Sequence, residues 1–281
     1  MKLHISVNRK NRMLMIGLLL GLLMIGITVI GPFFITHETK MMEASLKLIA
    51  PCREYPLGTD NFGRCILCRI IEGAAITLGT AFSVIGLTMV FGTFLGVISG
   101  YFGGVVDGVI MRLVDVFMAF PGTIFTIAIL AVFGSGQQNV VIALTIVSWP
   151  RYARIARGEV LHIKQAQYIE AAVAMGNKKS ALILRYFLPA VITKILVVAT
   201  QSISSVVLQS SAMSFLGLGV KPPTPDWGYM ITEGKEYIRS AWWLCFFPGL
   251  AIFLTSIAFN FLGDGIRDVL DQRLRETNTY E

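Results

Sequence analysis

Long apolar runs separated by short polar stretches dominate the chain. Each run holds roughly 20 residues, enough for a helix to cross about 30 Å of hydrocarbon. The runs fall at about 13–35, 76–101, 110–133, 139–157, 195–217 and 244–263. This pattern predicts an all-α integral membrane protein with six transmembrane helices. The third run opens with Arg112 and Asp115, spaced i, i+3 as an ion pair at a helix end. Pro121 beside Phe120 predicts a kink in the same run. Trp149-Pro150-Arg151 interrupts the fourth, where proline is tolerated if neighbouring groups satisfy the freed carbonyl. The first run is longer than the about 7–15 residues of a signal h-region and no A-x-A site follows it, so it predicts a retained span.

Composition agrees with the pattern. The 281 residues are 54% hydrophobic and 15% charged, with a mean hydropathy of +0.68. A soluble domain carries about 25% charged residues, so this chain cannot cover its surface in water. The cations fix an orientation. With the N-terminus inside, eight of the 24 Lys and Arg fall in outer segments: Lys40, Lys47, Arg53, Arg64, Arg69, Lys221, Lys235 and Arg239. Eight acids match them there, so the formal net charge of +7 sits on the inner side. Topology thereby accounts for the basicity, and no nucleic-acid partner is expected.

The division that follows is a cytoplasmic N-terminus over 1–12, a first span over 13–35 and an extracytoplasmic segment over 36–75. A core of five further spans over 76–265 and a cytoplasmic tail over 266–281 complete it. The segment 36–75 contains "RCILCRIIEG", read as an interfacial helix, with two of the four cysteines, Cys65 and Cys68, in it. A lone C-x-x-C is a weak metal signal, since a closed zinc site needs four ligands and only His37 is near in sequence. Small packing residues, a disulfide and a metal relay are the three alternatives there. His4, His37 and His162 are scattered, and no nucleophile–base constellation for an enzyme appears.

The longest inner loop, about 158–189, carries the most organised polar sequence, "EAAVAMGNKKSALILRYFLP". Tyr168, Ile169, Ala172, Val173 and Met175 recur at helical spacing, and Gly176 is placed to end that helix in a left-handed cap. A second helix is predicted from about Ser180 towards Leu188-Pro189, making a cytoplasmic hairpin. It rests in the headgroups or docks a partner. From Gln165 to Met175 there is no cation, and alanines surround Glu170, which favours docking over headgroup binding.

In this loop "EAA", three residues, Gly, and then Leu188-Pro189 at the expected distance resemble the EAA loop of ABC importer permeases. "YPLGTDNFGRCILCRIIEGAAITL", "MRLVDVFMAFP", "SFLGLGVKPPTPDWGYMI", "AWWLCFFPGLAIFLT" and "NFLGDGIRDVLD" are similar to the C-type permeases for dipeptides, oligopeptides and nickel. Two departures stand out. Cys65 and Cys68 occupy places where that subgroup has Asp and Ser, and Tyr186 stands where isoleucine is usual.

The resemblance implies a type I ABC importer permease whose loop seats in a groove of a separate ATPase. Glu170 would be the coupling residue, Ala171, Ala172 and Gly176 would give close contact, and Arg185 a rim charge. It implies as partners a second, paralogous permease, two ATP-binding cassette subunits, an extracytoplasmic substrate-binding protein and the lipid bilayer of the cell membrane. ATP and Mg would be held by the partner ATPase, with no cofactor on this chain. The chain has no G-x-x-x-x-G-K-[ST] phosphate loop.

Gln201, Ser205 and Gln209 recur at i, i+4, i+8 in the fifth run, and Asn260 lies in the sixth. Such groups either line a pathway or bond between helices. Gly92, Gly96 and Gly100 form a small-xxx-small packing stripe. Trp227, Trp242 and Trp243 are expected in an interfacial belt. A secondary transporter or channel is the competing class, but no acid lies near the centre of a span and no internal repeat is evident. Peptides are the leading substrate, with nickel or a metal chelate the alternative.

Overall fold

The computed structural model describes residues 9–35 and 42–278, with side-chain surroundings for 14–35 and 42–269. His4, His37, Lys2 and Lys40 lie outside the described residues. Regular structure among the described residues is helical. The helices are α1 (Arg9–Ile30), α2 (Ile66–Phe102), α3 (Gly104–Ala119), α4 (Gly122–Phe133) and α5 (Gln137–Lys164), then α6 (Gln167–Ala174), α7 (Lys179–Leu182), α8 (Leu188–Phe215), α9 (Trp227–Gly234) and α10 (Trp243–Asn278).

The six expected spans map onto these helices with three changes. Four stretches are long and apolar enough to cross a membrane: Leu14–Phe34, Ile66–Phe102, Lys179–Phe215 and Trp243–Val269. The third expected span is two helices, α3 and α4, bent by 91° at Phe120-Pro121, and counts as a fifth only if taken as one broken span. The ring of Pro121 and the extended Phe120 (ψ 141°) break the helix outright instead of kinking it. Helix α5 is long enough, at about 42 Å. Arg151, Arg154, Arg157, Glu159 and Lys164 make its second half too polar to be counted by composition. The expected interfacial helix at 64–73 is instead largely the first turns of α2, which runs for 37 residues without a break.

The chain divides into two compact units. The first comprises residues up to Phe82, Phe133–Val140 and Thr200 onwards. In it α1 lies along α10, and glycines on both helices permit the approach. A Cβ on Gly17 would stand 2.4 Å from Leu262 N, and one on Gly265 would stand 2.6 Å from Leu14 Cβ. The irregular segment 42–65 is tied down by backbone bonds and by Trp243, whose Nε1 donates to Thr59 O at 3.2 Å. Trp227 Nε1 donates to Ile70 O at 2.9 Å. Both indoles are buried, and only Trp242 is exposed, so the expected tryptophan belt is mostly protein core. Each buried N–H has found a carbonyl, which is what lets the ring leave the interface.

The second unit comprises Ser83–Val132 and Val141–Ala199. Its centre is the crossing of α2 and α5 at the glycine stripe. A Cβ on Gly92 would meet Trp149 O at 2.6 Å, one on Gly96 would meet Ala153 O at 2.3 Å, and one on Gly100 would meet Val160 Cβ at 2.9 Å. The stripe is therefore packing within the chain. Helix α3 runs antiparallel to α5 with Val114 between Trp149 and Ala153. Arg157 donates to both oxygens of Asp107, at 2.5 and 2.6 Å. Asp115 pairs with Arg154 at 2.7 Å, not with the expected Arg112. A helix-surface neighbour loses here to a cation on the packed helix, and exposure of both groups makes the pair a weak one.

Substituting Gly96 tests the stripe. Gly96→Leu is expected to lower the thermal stability of the purified protein sharply, because even its Cβ clashes with backbone that cannot move aside. Overpacking of this kind costs about 1–3 kcal/mol or more. Gly86→Leu, with nothing within 4 Å of its Cβ position, is the control and should be nearly silent.

Candidate functional site

The loop between α5 and α8 folds as two helical arms, both within the second unit. Helix α6 begins one turn after α5, and Glu170 sits in its first turn, where a negative charge suits the helix dipole. Its end is a Schellman cap. Asn177 N–H donates to Ala172 O, and Gly176 N–H donates to Val173 O, with Gly176 at φ +77°. The Asn177 side chain adds a second bond to Ala172 O at 2.9 Å. Because the space around Gly176 is open, only its backbone demands glycine. Gly176→Ala should cost about 1–2 kcal/mol and show as faster proteolysis of the hairpin.

The second arm is not a separate helix. Lys179–Phe215 forms one continuous 37-residue helical stretch. It contains a wide π turn over Ile183–Phe187, where Leu188 N–H reaches back five residues to Ile183 O. Pro189 follows at once. It has no N–H to offer the preceding turn, and the widened turn makes room for its ring. The arms are joined by Tyr168 against Tyr186, ring centroids 6.4 Å apart, so the unusual tyrosine at 186 has a packing partner.

Burial sorts the residues of this hairpin. Ile169 and Ala172 are buried and fix α6 to its own unit. Ala172 thus gives close contact within the chain, not to an outside surface. Glu170, Ala171, Gly176 and Arg185 are exposed, together with Tyr168, Val173, Met175 and Leu184. The exposed side of α6 is largely apolar and carries one carboxylate, Glu170. The four large apolar side chains could be found from the sequence only once the buried face was known.

The polar residues of α8 meet α10 in the first unit. Gln201 Nε2 donates to Asp264 Oδ1 at 2.9 Å, and Ser204 Oγ donates to Asn260 Oδ1 at 2.6 Å. Ser205 Oγ donates back to Ser202 O at 2.8 Å, and Gln209, half-buried, lies one turn further along. Gln201 and Asn260 therefore face each other's helices as bonded groups. Ser204 and Asp264, which spacing alone did not single out, complete the seam.

A second charged cluster was absent from the sequence reading. Asp60, Arg64, Arg69 and Glu233 form a buried, formally neutral network in the first unit. Arg64 Nε donates to Asp60 Oδ2 at 2.6 Å and Nη2 donates to Glu233 Oε1 at 2.8 Å. Arg69 Nη2 donates to Glu233 Oε2 at 2.8 Å, and its Nη1 stands 3.2 Å from Asp60 Oδ2. The i, i+4 spacing of Asp60 and Arg64 was a local signal, but Glu233 lies far away in sequence. Glu233 is on α9, which Asp226 caps by accepting from Tyr229 N–H at 3.1 Å. Burial pushes the Asp226 carboxyl up from the ordinary carboxylate range, and hydrogen bonds from Ser214, Tyr229 and Thr77 oppose the shift.

Cys65 and Cys68 lie beside this network, buried, outside any disulfide and packed on Tyr55. The contact with Cys68 and burial push the Cys65 thiol well above its usual range. Both side chains pack with Tyr55 in one buried cluster. Among the described residues no group of three or more His, Cys, Asp or Glu side chains is placed to hold a metal ion.

Known proteins agree with this architecture. The model of the binding-protein-dependent transport system inner membrane component matches residues 92–276. The dipeptide transport system permease protein of Alkalihalophilus pseudofirmus is 37% identical over 267 residues, covering 95% of this chain and 88% of that one. The glutathione transport system permease protein of Pectobacterium atrosepticum is 43% identical over 225 residues, covering 80% and 75%. An inward-facing MetNI methionine ABC transporter superimposes with a TM-score of 0.57 at 20% identity, over 71% of this chain and 95% of that one. Sequence likeness over nearly the whole length and a shared helical fold place the chain among the binding-protein-dependent inner-membrane transport components, in the family of dipeptide and oligopeptide ABC importer permeases.

Proposed function

We propose that the chain is one of two permease subunits forming the translocation pathway of an ATP-driven importer for di- or oligopeptides. The observation that carries this is the exposed face of α6. Glu170 is exposed together with Tyr168, Ala171, Val173 and Met175, while Ile169 and Ala172 anchor the helix from behind. Such a surface suits a groove in a separate ATPase, which holds ATP and Mg. The ATPase's closing and opening would be passed through the rigid α6 into α5 and the continuous Lys179–Phe215 helix, rocking the unit between inward- and outward-open states. Peptide as the substrate class rests on the dipeptide and glutathione permeases it resembles.

In this reading both termini and the hairpin are cytoplasmic, following the excess of Lys and Arg on that side. Segment 36–65 and the connection containing α9 then face outward, towards a substrate-binding protein. Gln201, Ser205, Gln209 and Asn260 edge the pathway, with Gln201 and Asn260 held in place by Asp264 and Ser204. Purifying the tagged chain from its native membranes in mild detergent, with mass-spectrometric identification, tests the assembly. A second permease and the ATPase subunits are expected. A chain that comes out alone, and moves solute by itself in liposomes, would establish a self-sufficient transporter instead.

A further inference from the structure

The hairpin is rooted at two places in the second unit, and one residue touches both. The first arm grows out of the end of α5, whose last residue is Lys164. Lys164 Nζ donates to Tyr101 O at 2.9 Å and lies 5.8 Å from the centre of the Tyr101 ring. The second arm returns through the π turn, and its last residue, Phe187, is only 1% exposed. The Phe187 ring meets the Tyr101 ring edge to face, with centroids 5.6 Å apart and planes at 78°. Tyr101 thus stands between the two roots, in the last turn of α2.

The backbone of the second arm is weakest at this point. Leu188 N–H reaches back five residues to Ile183 O, and Pro189 has no N–H to offer. Wide turns and prolines are where helices bend. A push on the hairpin would flex the arm there unless a side-chain contact held its angle, and Phe187 against Tyr101 is such a contact. The end of α2 is itself held on two sides. Gly100 leaves no room against α5, since a Cβ there would stand 2.9 Å from Val160 Cβ and 3.0 Å from Arg157 O. Ser99 Oγ donates to Asp107 Oδ1 on α3, and Arg157 grips both oxygens of the same carboxylate. A displacement of Tyr101 therefore carries α2, α3 and α5 with it.

We infer that Tyr101 is the positioning residue of the hairpin. Its ring and its carbonyl hold the roots of both arms to the end of α2, so that displacement of α6 moves α2, α3 and α5 as one body instead of flexing the π turn. This rests on the importer reading and adds to it the point at which the hairpin's movement enters the membrane helices. Tyr101 acts through the faces and edges of its ring and through its backbone, so Tyr101→Phe should be silent. Tyr101→Ala removes the contact with Phe187, and Lys164→Met removes the bond to the carbonyl.

Spin labels at Lys178→Cys, exposed in the turn of the hairpin, and at Leu87→Cys, exposed on α2, read the distance between the two by pulsed EPR. The background carries Cys52→Ser and Cys245→Ser, since Cys65 and Cys68 are buried. The assembled complex in nanodiscs is compared without nucleotide and with ATP, Mg and vanadate. With Tyr101 or Tyr101→Phe, one narrow distance is expected, the same in both states. Tyr101→Ala should keep that distance without nucleotide, and with ATP and vanadate broaden it and shift it by about 2–5 Å, the size of ordinary helix displacements. Lys164→Met, at an exposed position, should do the same to a smaller extent. A Tyr101→Ala distance that stays fixed in both states overturns the inference. So does one that spreads equally with and without nucleotide, the mark of loosened packing alone, or a nucleotide-dependent shift already present with Tyr101. If Tyr101→Ala does not assemble, Lys164→Met decides by the same criteria. Absence of ATPase subunits from the complex before any label is read would instead overturn the importer reading itself.

Discussion

Replacing Glu170 with arginine is expected to release the ATPase subunits while the paired permease stays bound. The carboxylate lies on the exposed side of α6, within an apolar surface that an ATPase groove would exclude from water. Reversing a charge in a desolvated contact creates a repulsive or unpaired group and should lower affinity at least about 30-fold. The effect on α6 itself is small. A cation in the first helical turn opposes the dipole, but the helix is held by buried Ile169 and Ala172 and by its Schellman cap. Co-purification therefore reads docking and not unfolding, and Glu170→Gln should retain part of the binding. Transport and substrate-stimulated ATP hydrolysis should fall together. A Glu170→Arg complex that keeps its full complement of ATPase would remove the coupling role from this helix.

Much of this site was legible in the sequence because its determinants are local. The spacing around Glu170, a glycine at the position needing φ +77°, and Leu188-Pro189 are all set within twenty residues. The same holds for the glycine stripe on α2. Where the sequence misled, a distant residue had changed the energetics. The apolar run at 76–101 predicts a span with a separate interfacial helix before it, yet α2 begins at Ile66, and Asp60 and Glu233 pair with its Arg69. Arg112 and Asp115 are neighbours on one helix, but Arg154 arrives from α5 and takes the aspartate. Trp227 and Trp243 left the interface because carbonyls of Ile70 and Thr59 satisfy their N–H groups. The face of α6 turned outward likewise depended on knowing what its other face buries.

The ion network of the first unit should be the most sensitive point in its stability. Arg69→Met leaves the carboxylates of Asp60 and Glu233 facing Arg64 alone, one negative charge in excess among largely buried side chains. Removing one partner of a buried pair costs about 3–5 kcal/mol, a large part of the total stability of an ordinary domain. The loss should appear as a marked fall in melting temperature. It should also loosen segment 42–65, because it removes the 3.2 Å ion pair between Arg69 on α2 and Asp60 of that segment. Adding Glu233→Gln to Arg69→Met restores neutrality and should return part of the loss, a coupling that independent sites would not give. Arg53→Met, removing an exposed cation from the same segment, should change little. If Arg69→Met and Arg53→Met melt together, the network is solvated in the membrane-bound protein and the ion pairs contribute little to its stability.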